Sequence, residues 1–214
     1  HTTGQAFMMA FQAGGPHAQD RGLEALAYAY AEMTRTPAKA IWTKPQGKHD
    51  PLVLEKIYRV VPRGLALVIG CATFPTWNSY PGLFASLATA NATIVKPHPA
   101  AILPLALTVS IGREVLREAG FNPDALLLAV DEPGAEITKT LVTDPSVRIV
   151  DFTGSNAFGT GHKGLYGRSR RQFDRGGLNG QFPWHVLQYC LFPVALQRPD
   201  VHGTAEYLCS AIRH

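Results

Sequence analysis

Residues 68–99 read VIGCATFPTWNSYPGLFASLATANATIVKPHP, and the fold class follows from how that text divides. The apolar run Leu65-Ala-Leu-Val-Ile69, bounded by Gly64 and Gly70, has the length and composition of a buried strand. A polar, kinked crossing from Pro75 to Pro81 comes next, then a small-residue helix from Gly82 to Ala90. Asn91 is placed to stop that helix, and Thr93-Ile-Val95 is a short strand closing on Lys96-Pro97. Strand, loop, helix, strand is a βαβ unit. Ligands of such units sit at the carboxyl ends of the strands, where Asn78 and Lys96 both fall.

The flanking text extends the pattern. Thr3 to Gln12 and Asp20 to Arg35 read as helices, the second with Leu23, Leu26, Ala27 and Tyr30 on one face. Gly14-Gly15-Pro16 separates the two helices and Pro37 stops the second. Trp42 to Pro51 reads as a polar loop. Leu54 to Val61 and Leu65 to Gly70 read as strands joined in a hairpin through Pro62-Arg-Gly64. Downstream, Ala101 to Ala119 is a helix whose Leu105, Val109, Val115, Leu116 and Ala119 suit a sheet-packing face, ended by Gly120. Leu126 to Val130 is continuously apolar, as expected in the middle of a parallel sheet. Glu136 to Val142 is a short helix and Val147 to Phe152 a further strand, running into Thr153-Gly-Ser-Asn-Ala-Phe-Gly159. The predicted fold is α/β: an incomplete Rossmann-like parallel sheet with helices on both faces, preceded by N-terminal helices and a β-hairpin.

Three positions have chemistry suited to a site. The Asn78 amide, beside a main-chain N–H, can stabilise charge developing on an attacked carbonyl oxygen; a capping or turn Asn is the structural alternative. Lys96, held at a strand end by Pro97, can donate to ribose hydroxyls or a phosphate; a solvated surface Lys is the alternative. Gly154-Ser155 with Gly159 offers backbone N–H groups and a hydroxyl to a pyrophosphate at a helix start; a tight strand-to-helix turn is the alternative.

Taken in order, TFPTWN, SLATAN, the KP pair and FTGS resemble the aldehyde dehydrogenase superfamily from about Lys56 to Phe158. Within it, FPTWNSYPGLFA, KPHP and the upstream FMMAFQAGGPHAQDRGLEALAYA resemble the branch associated with phenylacetic acid degradation, so that about three quarters of the chain is covered. The resemblance implies a parent enzyme that oxidises a small-molecule aldehyde with NAD or NADP. It further implies a coenzyme A-linked semialdehyde of phenylacetate breakdown as a substrate, and a homo-oligomer as the assembly. It makes Asn78 the oxyanion-stabilising residue, and Trp77, Lys96, Gly154, Ser155 and Gly159 the cofactor contacts. The chain departs from the pattern where many relatives carry Glu two residues after the KP proline. Here His98-Pro99 follow. An acid there would bind the 2′-hydroxyl and repel a 2′-phosphate, so its absence favours NADP.

Composition excludes other classes. Residues 1–159 carry 13 basic and 13 acidic side chains, so the net charge of +4 resides in the last quarter, with no aromatic-interleaved basic stripe; a nucleic-acid partner is not expected. The apolar run from Ala100 to Ile111 is too short for a membrane span and contains Pro104. Cys71, Cys190 and Cys209 form no C-x-x-C pair, which fits a reducing, cytoplasmic setting. His185, Cys190, His202 and Cys209 have no zinc-like spacing, and no metal site is expected. His98 and Cys71 read as structural. The chain does not begin with Met, so His1 reads as a cut point within a longer chain.

Two units are expected: a cofactor-binding domain over 1–159, N-terminal helices included, and an irregular tail over 160–214. The family's nucleophile stands in a Q-x-C-T context, which neither QYCLF around Cys190 nor YLCSA around Cys209 provides. The chain is therefore expected to be inactive, with a non-catalytic nucleotide-binding domain as the alternative. A reading-frame shift near Thr160 accounts for the change in text. Pro199 to Leu208 can be coded CCA GAT GTG CAC GGC ACC GCA GAA TAT CTG. One base later this spells Gln-Met-Cys-Thr-Ala-Pro-Gln-Asn-Ile, similar to the branch's catalytic-Cys segment. Leu191 to Arg198 likewise admits a shifted Phe-Ser-Leu-Ser-Leu-Tyr-Ser-Gly, similar to its lead-in.

Overall fold

The computed structural model describes residues 2–132, 134–135 and 137–154. In chain order the elements are α1 (Phe7–Gly14), α2 (Pro16–Thr34), β1 (Lys39–Gln46), β2 (His49–Ile57), β3 (Leu65–Ile69), α3 (Pro75–Ala88), β4 (Thr93–Lys96), α4 (Ile102–Glu118), β5 (Leu126–Leu128), α5 (Ile137–Thr143) and β6 (Val147–Phe152). Strands β3 to β6 form a parallel sheet in the order β5-β4-β3-β6. The chain steps outward from β3 through β4 to β5, then returns to place β6 on the other side of β3, with Ile69 level with Lys96 on one side and with Phe152 on the other. The order reverses between β3 and β6, and crevices at such reversals are where α/β sheets bind ligands.

Side chains alternate across this sheet and meet helices on both faces. Val68, Val95 and Leu126 pack with Leu83 of α3 and with Leu105 and Val109 of α4. On the opposite face Leu67 and Ile69 pack with Val142 of α5, flanked by Ile94, Val150 and Phe152. Complete burial of Leu67, Leu83, Leu105 and Leu126 stabilises the fold by about 2 kcal/mol each. The expected Rossmann-like α/β sheet is thus present.

Several local expectations are corrected. The hairpin is not Leu54–Val61 with Leu65–Gly70. It is β1 with β2, antiparallel from Lys39↔Ile57 to Gln46↔His49, so the stretch Trp42–Pro51 is strand and turn rather than loop. This two-stranded ribbon stands apart from the main sheet. Both its edges lack a neighbour strand among the described residues, which is where Pro45 and Pro51 are tolerated. Gly47, at φ +64°, makes its turn. The partners of β3 are the parallel strands β4 and β6, and the Pro62-Arg-Gly64 link joins it to neither.

Helix α3 begins at Pro75, well before the expected start at Gly82, and runs through Pro81. Pro75 occupies the first turn, where the missing N–H costs nothing. Pro81 leaves the carbonyl of Trp77 without its intrahelical donor, and Arg21 Nε of α2 supplies one at 3.1 Å. The helix ends through Ala90, the one described non-glycine residue with positive φ (61°). Asn91 is a buried tie rather than the stop itself: its Oδ1 accepts from the N–H groups of Arg63 and Gly64, and its Nδ2 donates to Thr89 Oγ1 at 2.8 Å.

The packing face of α2 is Ala18, Gly22, Ala25 and Ala29, which lies on α3. The expected face is turned outward, with Leu23 64% and Tyr30 72% exposed. Small residues win because they let the two helices approach closely, with Gly22 against the Phe84 ring. On α4, Leu105 and Val109 are buried but Val115 and Ala119 are exposed. Strand β5 lies at an edge of the described sheet rather than in its middle, which leaves Leu127 and Leu128 partly exposed.

Candidate functional site

The site is built at the carboxyl end of the sheet. Gly70, the residue after β3, donates its N–H to the Lys96 carbonyl at 2.9 Å, locking the ends of β3 and β4 together. Cys71 follows, and the chain turns into α3. Asn78 lies in the first turns of that helix, its N–H bonded to the Phe74 carbonyl. Its Nδ2 donates to Cys71 Sγ at 3.2 Å. Asn78 is thus held over the end of β3, half-buried, with its amide aimed by a side chain that the sequence reading treated as purely structural.

The neighbours of Asn78 are fixed from outside the sheet. Thr76 Oγ1 donates to the Gly14 carbonyl at 3.0 Å, pinning α3 to the end of α1. The Arg21 guanidinium carbon lies 4.7 Å from the centre of the Trp77 ring, a cation–π contact, while Phe74 meets the same ring edge-on at 5.8 Å. Arg21 therefore holds Trp77 by both its ring and its carbonyl.

Lys96 is 6% exposed at its side chain, so the solvated-surface alternative fails. Its Nζ lies 2.8 Å from Asp131 Oδ1, on the loop beyond β5, whose carboxylate is 9% exposed. The two form a nearly buried ion pair. The Ala129 N–H donates to the Val95 carbonyl, which continues the β4–β5 alignment to the point where Asp131 meets Lys96. Asp131 escaped the sequence reading, although its place just past a strand end marks it as site-facing.

Gly154 follows β6, exposed, at the same end of the sheet. Ser155 and Gly159 lie outside the described residues. The fold thus puts Trp77 and Asn78 in the helix that follows β3, and Lys96 and Gly154 at or just past the carboxyl ends of β4 and β6. His98 is exposed, its Nδ1 accepting from the Ala100 N–H in a local turn.

Behind the site, Asp151 of β6 is buried against Gly82 of α3, and neither carboxylate oxygen has a hydrogen-bond partner. Burial raises its pKa from 3.8 to about 7, with the Arg21 charge pulling the other way.

The site residues present suit a nucleotide. A buried cation beside a carboxylate matches the donor and acceptor needs of a ribose diol, and Gly154 is exposed after β6 at the same end of the sheet.

Comparison with known proteins gives the family and the fold. The sequence profile described as the aldehyde dehydrogenase family matches residues 8–172. The chain is 36% identical over 102 residues to 1-pyrroline-5-carboxylate dehydrogenase of Bacillus subtilis strain 168, covering 48% of this chain and 19% of that protein. It is 32% identical over 114 residues to 2,5-dioxopentanoate dehydrogenase of Saccharolobus solfataricus, covering 51% and 22%. The matched region therefore spans about a fifth of these relatives. Among solved structures, an NAD-dependent aldehyde dehydrogenase from Burkholderia multivorans is 63% identical, with a TM-score of 0.72 over 75% of this chain and 29% of that one. A glyceraldehyde-3-phosphate dehydrogenase from Methanocaldococcus jannaschii, complexed with NADP, shares the fold at 20% identity and a TM-score of 0.52.

Proposed function

Because the chain belongs to the aldehyde dehydrogenase family, we propose that residues 1–159 are the cofactor-binding part of a nicotinamide-dependent enzyme that oxidises an aldehyde. The observation that carries this is the placement of Asn78 and Lys96 at one sheet end, beside the reversal between β3 and β6. The nicotinamide cofactor, NAD or NADP, accepts hydride from the substrate when bound. Lys96 would hold its ribose, and Gly154, Ser155 and Gly159 would offer backbone N–H groups and a hydroxyl to its pyrophosphate. Trp77 would be a further cofactor contact, as the resemblance implies. The Asn78 amide, already oriented as a donor, stabilises the oxyanion formed when a nucleophile adds to the aldehyde. The substrate we favour is the coenzyme A-linked semialdehyde of phenylacetate degradation, on the resemblance of FPTWNSYPGLFA and KPHP. The parent enzyme is proposed to be cytoplasmic and homo-oligomeric.

The chain itself is proposed to be inactive. None of Cys71, Cys190 and Cys209 stands in the family's active-site context, and residues 160–214 are proposed to be out of frame. Purified protein should give no NAD- or NADP-linked aldehyde oxidation; turnover that Asn78→Ala abolishes would overturn this. The nucleotide sequence decides the frame: it should spell Gln-Met-Cys-Thr one base after Pro199 to Thr204, and any other text there sinks the frame shift. A non-catalytic nucleotide-binding domain is the second reading, favoured by the same missing Cys. It requires dinucleotide binding by this chain with no active full-length parent.

A further inference from the structure

We propose that Asp131 is the residue that discriminates between cofactors, selecting a free ribose 2′-hydroxyl (NAD) over a 2′-phosphate (NADP). This rests on the cofactor reading of Lys96 and reverses the preference expected from His98-Pro99.

The text after the KP pair lacks an acid, but the fold supplies one from the neighbouring strand. Strand β5 lies beside β4 in the sheet, and the chain continuing past it brings Asp131 to 2.8 Å from Lys96 Nζ. Both side chains are nearly sealed from water, at 6% and 9% exposure. Opposite charges this close and this buried are strongly coupled, because solvent does little to screen them. The pair therefore presents itself to a ligand as a dipole, with no net positive charge.

The consequences differ for the two ribose forms. A 2′-hydroxyl can donate to the carboxylate and accept from the ammonium, so each member of the pair gains a partner. Asp131 Oδ1 lies against the Lys96 ammonium, and a carboxylate oxygen has lone pairs enough to accept from a hydroxyl as well. A 2′-phosphate carries no donor when fully ionised. It gains from Lys96 but meets the Asp131 carboxylate as a like charge in a low-dielectric setting. Discrimination thus comes from a repulsive element as well as an attractive one.

The test is calorimetric titration of the full 214-residue chain with NAD and, separately, with NADP. The wild-type chain should bind NAD at least tenfold more tightly; equal or tighter binding of NADP overturns the proposal with no variant needed. Asp131→Asn, which removes the charge, should shrink the ratio to about twofold or invert it, and Asp131→Glu should retain it. An NAD preference that survives Asp131→Asn places discrimination elsewhere and also overturns the proposal. Should Asp131→Asn fail to fold because it strands a buried ammonium, Lys96→Met combined with Asp131→Leu leaves no buried charge. That double variant should bind the two dinucleotides about equally, and a persisting NAD preference counts against Asp131. If the wild-type chain binds neither dinucleotide, the cofactor reading itself fails. A bound but undiscriminated cofactor sinks only the role of Asp131.

Discussion

Asp151 is a carboxylic acid enclosed by the sheet and α3, with its pKa moved to about 7 from 3.8. The folded chain therefore holds a proton across a range where the unfolded chain has released it. Stability is full below about pH 4, falls as the pH rises toward 7 and is level above that. With each unit equivalent to about 1.4 kcal/mol, the loss approaches roughly 4 kcal/mol as an upper limit. Urea denaturation at pH 5 and pH 8 should show the wild-type chain weaker at pH 8, and Asp151→Asn should flatten the difference; equal wild-type stability at both values would contradict the buried, unpaired acid. The same residue explains Gly82. A β-carbon there would overlap Asp151 Oδ2 and crowd its Cγ. Gly→Ala inside a helix ordinarily stabilises by up to about 1 kcal/mol, yet Gly82→Ala should destabilise by about 2 kcal/mol or more. Adding Asp151→Ala should recover most of that loss, since neighbours in contact are non-additive.

At the level of the element, α3 survives an internal proline because another helix completes its hydrogen bonding. Pro81 orphans the Trp77 carbonyl, and Arg21 of α2 answers it with a charged donor. A hydrogen bond from a charged group contributes about 1.5–3 kcal/mol, so Arg21→Ala should cost about 2 kcal/mol. Pro81→Ala restores an N–H at that carbonyl and should rescue part of the cost in the Arg21→Ala background. A double-mutant cycle with no coupling would show that Arg21 acts only through the Trp77 ring. Because Asn78 follows Trp77 directly, this helix-to-helix tie also sets the angle at which the Asn78 amide is presented. The proline pair in PTWNSYP reads in sequence as a kink. What made it helix was a donor 56 residues upstream, beyond the reach of any local pattern.

At the scale of the whole molecule, many large apolar side chains among the described residues are exposed. Leu103, Leu107, Ile111 and Val115 recur every four residues along one side of α4, each about half exposed. Leu23 and Tyr30 on α2, and Ile41, Val53 and Ile57 on the β1–β2 ribbon, are exposed as well. Contiguous apolar surface drives association. Sedimentation velocity should therefore show concentration-dependent self-association, reduced by Ile111→Lys. A strictly monomeric wild-type chain at every concentration would contradict this. Among the described residues no helix is long and apolar enough to cross a membrane.

The sequence by itself determined the α/β class, the strands Leu65–Ile69, Thr93–Lys96 and Val147–Phe152 in outline, and the placing of Lys96 at a strand end. These are local: a run bounded by glycines and a switch from strand to helix are written in consecutive residues. The tertiary structure alone decided which strands are neighbours, which face of α2 is buried, and what each site residue touches. Periodicity tells which residues share a face but not what that face meets. The larger side chains of α2 looked like its core, yet the close approach of α3 selected Ala18, Gly22, Ala25 and Ala29 instead. Likewise, Lys96 could be read from the sequence as a ribose donor or a solvated side chain, but not as an ion-paired one, because its counter-charge, Asp131, arrives from the loop beyond the next strand of the sheet.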